Sequence, residues 1–233
     1  MVATPNPQPQ WLMDDLALLE HDDPGSRRAA MSTNSYVLLA EGKSLVVDSA
    51  FDYLLTQIRE IASGGYPPAG LVLSHRHLAE NGNLFTAFEE EFGVPIFLHP
   101  LDAEHSQAAS AVEFQDPMQS PLFAEFGVEV IHFPGQTKGS VVLYRERDGL
   151  ILAGDSAMGP TRPQAAGGME RLIRPPFFTS TDDEQLRRNW LGFERPVSHI
   201  GPYHGNVYIG DHGRMAEIMR PLVRQETTRE VKG

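Results

Sequence analysis

The sequence predicts an α/β protein in which mixed sheets are covered by helices. Three observations predict it. An early pair of apolar runs, Asn34 to Leu39 and Ser44 to Asp48, flanks the turn Glu41-Gly42-Lys43 and reads as a hairpin. From Phe51 onward, helical and strand patterns alternate. Polar residues that can bind or react cluster after the apolar runs, where α/β folds build their sites.

In chain order, residues 1–10 are rich in Pro and Gln and read as a loose tail, leaving residues 11–233 as one domain. Trp11 to Leu19 is apolar with two acids, an early strand or a short helix, and His21 to Arg28 is a polar turn around Pro24-Gly25. After the hairpin, Phe51 to Ala62 carries Leu54, Leu55, Ile58 and Ile61 at helical spacing and stops at Gly64-Gly65. Gly70 to Ser74 is a buried strand, Asn83 to Phe92 a helix, Pro95 to Leu98 a strand and Asp102 to Ala109 a short helix. Val128 to Phe133, Ser140 to Tyr144 and Leu150 to Ala153 are strands, the last two joined through Arg147-Asp148-Gly149. Residues 156–181 form a long Pro/Gly-rich loop. Asp182 to Phe193 is a helix opened by Asp182-Asp183-Glu184, Val197 to Ile200 a last strand and Asp211 to Glu230 a final helix.

Composition bounds the chemistry. The chain has 233 residues, a net charge of −12 and no cysteine. Disulfides, thiolate ligands and cysteine nucleophiles are excluded, so any metal must be held by His, Asp, Glu or amide oxygen. The acidic balance argues against nucleic acid and anionic membranes as partners. No apolar run approaches the ~18 residues of a membrane span, and no basic-then-apolar leader pattern opens the chain. The expectation is a soluble cytoplasmic protein with a small-molecule substrate or ligand.

The chemistry centres on His75-Arg76-His77, placed where the run Leu71-Val72-Leu73-Ser74 turns from strand to loop. Two imidazoles one residue apart there point the same way and can grip one metal ion. Asp48 ends the hairpin's second strand, Asp155 follows Leu152-Ala153-Gly154, and His204-Gly205 follows Ile200-Gly201-Pro202-Tyr203. Arg162, Arg171 and Arg174 in the long loop offer guanidinium groups to a substrate carboxylate or phosphate. The alternative for that loop, which also carries Phe177-Phe178, is a solvated surface or the contact of a homodimer. His99, His105, His132, His199 and His212 read as structural, and His21 as a turn residue without a role.

The order His-x-His, then Pro134-Gly135-Gln136-Thr137-Lys138-Gly139-Ser140, then Gly154-Asp155, then His204-Gly205 resembles the metallo-β-lactamase-fold superfamily, from about Asn34 to Gly205. Asn34-Ser35-Tyr36, Val46-Val47-Asp48 and Phe133-Pro134-Gly135 look like its framework. The resemblance implies an αββα sandwich of two mixed sheets with a metal site at one edge, in a family mostly of hydrolases using one or two zinc, iron or manganese ions. It assigns metal ligation to His75, His77, Asp155 and His204, with Asp155 the bridging carboxylate; His75, His77 and Asp155 would make a two-His, one-carboxylate set with open positions, for zinc first and iron or manganese as alternatives. The family motif His-x-His-x-Asp-His departs here to Ala79 and Glu80, and Gln136 stands where the family has His. Glu80 is therefore a candidate ligand or general base, and Asp48 and Gln136 are candidates to support the ligands. The expectation is a hydrolase with an altered site, holding a single ion, for a small ester, thioester, lactone or phosphoester. The rivals are a non-catalytic binding module on the same fold and a non-haem iron protein.

Overall fold

The computed structural model describes residues 8–22, 31–106, 112–210 and 212–224. The expected tail, the turn over 21–28, the end of the helix over 102–109 and the end of the final helix lie partly or wholly outside them. The N-terminal run is a hairpin, β1 (Gln10–Met13) and β2 (Leu16–His21), followed by β3 (Thr33–Ala40) and β4 (Lys43–Val47). Glu41 and Gly42 both adopt positive φ, 44° and 75°, the backbone that a two-residue hairpin turn requires. Then come α1 (Leu55–Ser63), β5 (Pro68–Val72), α2 (Arg76–Asn81), α3 (Phe85–Phe92) and β6 (Ile96–Phe97). The short α4 (Pro100–Ala103), β7 (Phe114–Gln115) and α5 (Leu122–Glu125) lead into β8 (Glu129–His132), β9 (Val141–Arg145) and β10 (Leu150–Met158). The chain continues through α6 (Arg162–Ala166), α7 (Asp183–Leu191), β11 (His199–His204), β12 (Tyr208–Ile209) and α8 (His212–Val223).

Two mixed sheets result. Strands β1 to β7 pair in sequence, antiparallel up to β4 and parallel beyond it. In the second sheet β8, β9 and β10 are antiparallel neighbours, β10 and β11 run parallel, and β12 closes on β11. The sheets meet at the pair Thr33–His204, and Thr33 pairs on its other side with His21.

Side-chain alternation sorts the apolar residues into layers. Leu16, Leu18, Tyr36, Leu38, Leu45, Val47 and Val72 of the first sheet face Val141, Leu143, Leu150 and Leu152 of the second, forming the inner core. Ala17, Leu19, Val37, Val46 and Leu71 point the other way, under Ile58, Ile61, Phe85 and Phe88 of α1 and α3. Val142, Tyr144, Ile151 and Ile200 pack under Leu186, Trp190, Met215 and Ile218 of α7 and α8. The architecture is the expected αββα sandwich, and burial on both faces explains why these strands read as continuous apolar runs. The buried Arg145 pairs with Asp148 at 2.7 Å and Asp15 at 3.0 Å, tying the β1–β2 hairpin to the second sheet. No helix among the described residues is long and apolar enough to cross a membrane.

Two local departures matter for the site. Helix α2 begins immediately after His75, so His77 lies in a helical first turn rather than a loop. Leu78 and Ala79 are buried in the core beneath α1 and α3, which gives this short helix its hold. Strand β10 runs on to Met158, five residues beyond the expected Ala153, because its later residues bridge to β11 and Ile173. Asp155 is thus within a strand. The long loop after it contains α6, capped by Thr161 and Gln164 in a reciprocal capping box.

Candidate active site

The site is built at the sheet joint, on the ends of β4, β5 and β11 and on the later part of β10. Asp48, at positive φ of 57° after β4, aims its carboxylate back across the sheet, and Oδ1 accepts the Ser74 N–H at 2.7 Å. Ser74 Oγ lies 2.9 Å from His75 Nδ1. This leaves His75 Nε2 facing the site, where it stands 3.6 Å from Asp155 Oδ2. Burial lowers the His75 pKa to about 4, the nearby Asp155 charge opposing it, so the ring is neutral at pH 7. Burial raises the Asp48 pKa to about 7, against the hydrogen bonds of Ser74 and with the push of Asp155. Gly154, at φ +52°, lets the chain pass this cluster: a Cβ there would meet Ser74 Oγ at 2.2 Å.

His204 approaches from the end of β11, its Nε2 3.9 Å from Asp155 Oδ1. The framework residues hold this end: Asn34 Nδ2 donates to Pro202 O and Gly205 O, Tyr36 OH donates to Pro202 O, and Ser35 Oγ donates to Asp48 O. His75, His77, Asp155 and His204 line one cavity of about 70 Å³, walled further by Phe51, Leu78, Asn81 and Tyr203. Larger clefts of about 440 and 450 Å³ lie beside α7 and α8 and include none of these residues.

His77 is held differently. Gln136, buried after β8, places Nε2 2.8 Å from His77 Nδ1 and accepts on Oε1 from Ser140 Oγ at 3.3 Å. Behind them lies Asp102, fully buried, whose carboxylate accepts from Arg76 N, Gly139 N and Thr137 Oγ1. It ties the start of α2 to the loop that carries Gln136. Gly139 is needed for this approach, since a Cβ there would meet Asp102 Cγ at 2.7 Å. Sequence reading missed Asp102, because an aspartate opening a short helix ordinarily reads as a solvated cap.

It also misread His21. That residue ends β2, is buried, and lies 2.8 Å from Tyr53 OH and 3.3 Å from Ser35 Oγ through its two ring nitrogens. Burial, with His204 adding to it, lowers its pKa to about 3. Its ring meets Phe51 and Tyr203 edge-on, so it backs the aromatic wall of the cavity.

The remaining candidates stand apart from this group. Glu80 is exposed on the outer side of α2, its Oε1 3.4 Å from Arg76 Nε, and it does not line the cavity. The burial of Ala79 fixes that outcome: with position 79 turned into the core, position 80 turns outward. Arg174 is buried, pairs with Asp183 at 2.8 Å and donates to Leu222 O and Arg224 O. Arg162 pairs with Asp22 and Glu20. Arg171 is half-buried, its carbonyl accepting from Tyr208 OH. Phe177 and Phe178 are exposed. His99 and His132 stack on each other at 4.4 Å, and His199 Nδ1 accepts the Gly210 N–H.

Among the described residues, no three His, Asp or Glu side chains are arranged to hold a metal ion as they stand. The chemistry of the donors nevertheless suits a single ion. Asp155 Oδ1 is buried without a hydrogen-bond partner, and the gaps of 3.6 and 3.9 Å to the two imidazoles are too long for hydrogen bonds. Ligands on one tetrahedral ion with bonds of ~2.1 Å sit about 3.4 Å apart, so each of these two gaps is close to the spacing of atoms that share an ion, His75 beside Oδ2 and His204 beside Oδ1. The two-ion set of the family is not fitted: Ala79 has no ligand atom, Glu80 points away, and Gln136 occupies His77 Nδ1.

A four-layer αββα protein with a His and Asp cluster at the sheet joint defines a class, and the sequence agrees. Residues 28–192 match the metallo-beta-lactamase superfamily, and the chain belongs to it. The fold is shared with the DIM-1 metallo-beta-lactamase (TM-score 0.70, 15% identity, 92% of this chain and 94% of that chain covered). It is likewise shared with the metallo-beta-lactamase from Pontibacter korlensis (TM-score 0.68, 15% identity, 95% and 100% covered). A third neighbour, TTHA1623 in a di-iron-bound form, aligns at TM-score 0.58 and 19% identity over 80% of this chain and 93% of that chain. No curated protein matches the sequence.

Proposed function

We propose that the chain is a metal-dependent hydrolase with a one-ion site made by His75, Asp155 and His204, acting on a small ester, thioester, lactone or phosphoester. The observation that carries this reading is the Asp155 carboxylate, whose Oδ1 is buried without a hydrogen-bond partner, with the His204 ring 3.9 Å from Oδ1 and the His75 ring 3.6 Å from Oδ2. A buried carboxylate oxygen left unpaired costs stability, and it persists where a ligand supplies the missing interaction. When bound, a divalent ion supplies hydroxide at neutral pH by lowering the pKa of its water from about 15.7 to about 7. The protein's own residues supply the rest. Burial keeps His75 neutral and its Nε2 lone pair available, and Ser74, oriented by Asp48, keeps Nδ1 engaged. Phe51, Leu78 and Tyr203 exclude bulk water, and a cavity of about 70 Å³ admits the reacting group of a substrate rather than its whole body.

The superfamily is largely hydrolytic, which supports hydrolysis over a purely binding role. Two imidazoles and one carboxylate serve zinc hydrolases and non-haem iron sites alike, and one structural neighbour is di-iron-bound, so zinc and iron are both candidates for the ion. The test is elemental mass spectrometry on protein purified without chelator, beside His75→Ala and Asp155→Ala. About one equivalent of zinc, iron or manganese, lost in both variants, with metal-dependent turnover of p-nitrophenyl acetate or bis(p-nitrophenyl) phosphate, is the expected result. No metal after reconstitution, or turnover indifferent to metal, overturns it.

A further inference from the structure

We propose that the stacked rings of His99 and His132 form a proton-operated latch, which holds the first turn of α4, and with it Asp102, while both rings are neutral and lets it loosen in acid. The pair lies outside the metal cavity, and the latch does not depend on whether the chain is a hydrolase.

The two rings lie face to face, their centroids 4.4 Å apart and their planes inclined by 6°. Each commits one nitrogen to a backbone group that has only one role. A carbonyl only accepts, so His132 Nε2, 2.9 Å from Lys138 O, carries a proton. A backbone N–H only donates, so His99 Nδ1, which caps α4 by accepting from Leu101 N at 3.3 Å, carries a lone pair. A further proton on His132 lands on Nδ1 and leaves the Lys138 bond intact. A further proton on His99 must take Nδ1 and break the cap. With both rings charged, two cations also stand face to face, and they repel. Acid therefore favours separated rings and an uncapped α4.

The first turn of α4 holds more than itself. Its Asp102 accepts from Arg76 N, between His75 and His77, and from Gly139 N, in the loop that carries Gln136. His132 closes the same loop at Lys138 O, and the side chain of Lys138 is exposed. Burial and His132 lower the His99 pKa, against the pull of Asp116 and Asp102. On its other side His132 shares a cleft with Arg188, Glu194 and Arg195, and Arg195 is already paired with Glu129. A released His99 titrates near the ordinary 6.5 and the latched ring below it. Protons thus bind the released form better, and opening gains as pH falls through that range.

The test is amide hydrogen exchange on the full chain at pH 7, 6 and 5, each rate referred to an unstructured peptide at the same pH. The Arg76 and Gly139 amides report the hold of Asp102, and the Leu143 and Val46 amides, in central strands, report global opening. In wild type, protection at Arg76 and Gly139 is expected to fall about tenfold from pH 7 to pH 5, with Leu143 and Val46 changing less. His99→Asn keeps an acceptor for Leu101 N and removes the titrating ring, so its Arg76 and Gly139 amides should hold steady. NMR titration of the rings gives an independent readout: His132→Gln should move the His99 midpoint up towards 6.5, because the neighbouring charge is gone. Steady protection in wild type overturns the proposal, as does an equal acid loss in His99→Asn. So does a loss shared equally by all four amides, or a His99 midpoint indifferent to His132→Gln.

Discussion

Asp102 Oδ2 accepts the backbone N–H of Arg76 at 2.9 Å, joining a helix start to a carboxylate 26 residues away. The same carboxylate accepts from Thr137 Oγ1 and, at 2.8 Å, from Gly139 N. Its place under both His-bearing and Gln-bearing segments makes it the internal strut of the site. Asp102→Ala leaves the Arg76 and Gly139 N–H groups without their acceptor, while Thr137 Oγ1 keeps Ser140 Oγ, and is expected to cost about 2–4 kcal/mol, read by urea denaturation. Asp102→Asn keeps the shape but turns one acceptor into a donor, and a smaller loss is expected. Equal stability of Asp102→Ala and wild type would refute the strut.

His21 makes a signed prediction about acid. Its folded pKa is about 3 and that of an unperturbed histidine is 6.5, so between those values the unfolded chain holds a proton that the folded one does not. Stability therefore falls as pH drops from about 6.5 towards 3, by up to ~1.4 kcal/mol per pH unit from this group. Asp48 works in the opposite sense. With its folded pKa raised to about 7 from 3.8, the folded state holds the extra proton, and stability is lost as pH rises through that window. Thermal melts across pH 4 to 7 should show a shallower acid loss in His21→Gln and a steeper one in Asp48→Asn. Parallel profiles for all three proteins would contradict both assignments.

Asp155→Asn separates site from scaffold. Removing a buried charge whose Oδ1 has no partner should leave metal-free protein at least as stable as wild type. In metal-loaded samples the order should invert, because only wild type gains ligand stabilisation. A large loss of stability in metal-free Asp155→Asn would show that the carboxylate is paired in a way the proposal does not include.

Arg174 is predicted to act on stability rather than on substrate. Its guanidinium is buried against Asp183, Leu222 O and Arg224 O, tying the stretch before α7 to the end of α8. Arg174→Ala strands the half-buried Asp183 and two carbonyls, and is expected to cost about 2–4 kcal/mol by chemical denaturation. The KM of the folded fraction for p-nitrophenyl acetate should be unchanged; a tenfold rise would restore Arg174 to the substrate.

Much of the scaffold was legible because it follows from periodicity and local chemistry. The hairpin across Glu41-Gly42, the helical spacing of Leu55, Ile58 and Ile61, and the capping acids before Gln185 act within a few residues. The short β7 and β12 were not legible, since two-residue strands such as Phe114–Gln115 exist only by pairing with a distant neighbour. Helix α2 was missed for a related reason. Six residues carry too little helical propensity to be read alone, and it forms because Leu78 and Ala79 find a core to enter.

For the site, sequence alone determined which candidate residues are present and where they depart from the family motif: His75, His77, Asp155 and His204 present, Ala79 and Gln136 at positions where the family has ligands. It also placed His75, Asp155 and His204 directly after apolar runs, the position where α/β folds gather their sites. Tertiary structure decided what each can do. It turned Glu80 outward, set Gln136 against His77, buried Asp102 beneath both, and carried His21 from an apparent polar turn to the wall behind Tyr203. Residue type and local spacing constrain which atoms are available. Orientation, tautomer and burial depend on contacts between segments far apart in the chain, and those are settled only when the two sheets close on each other.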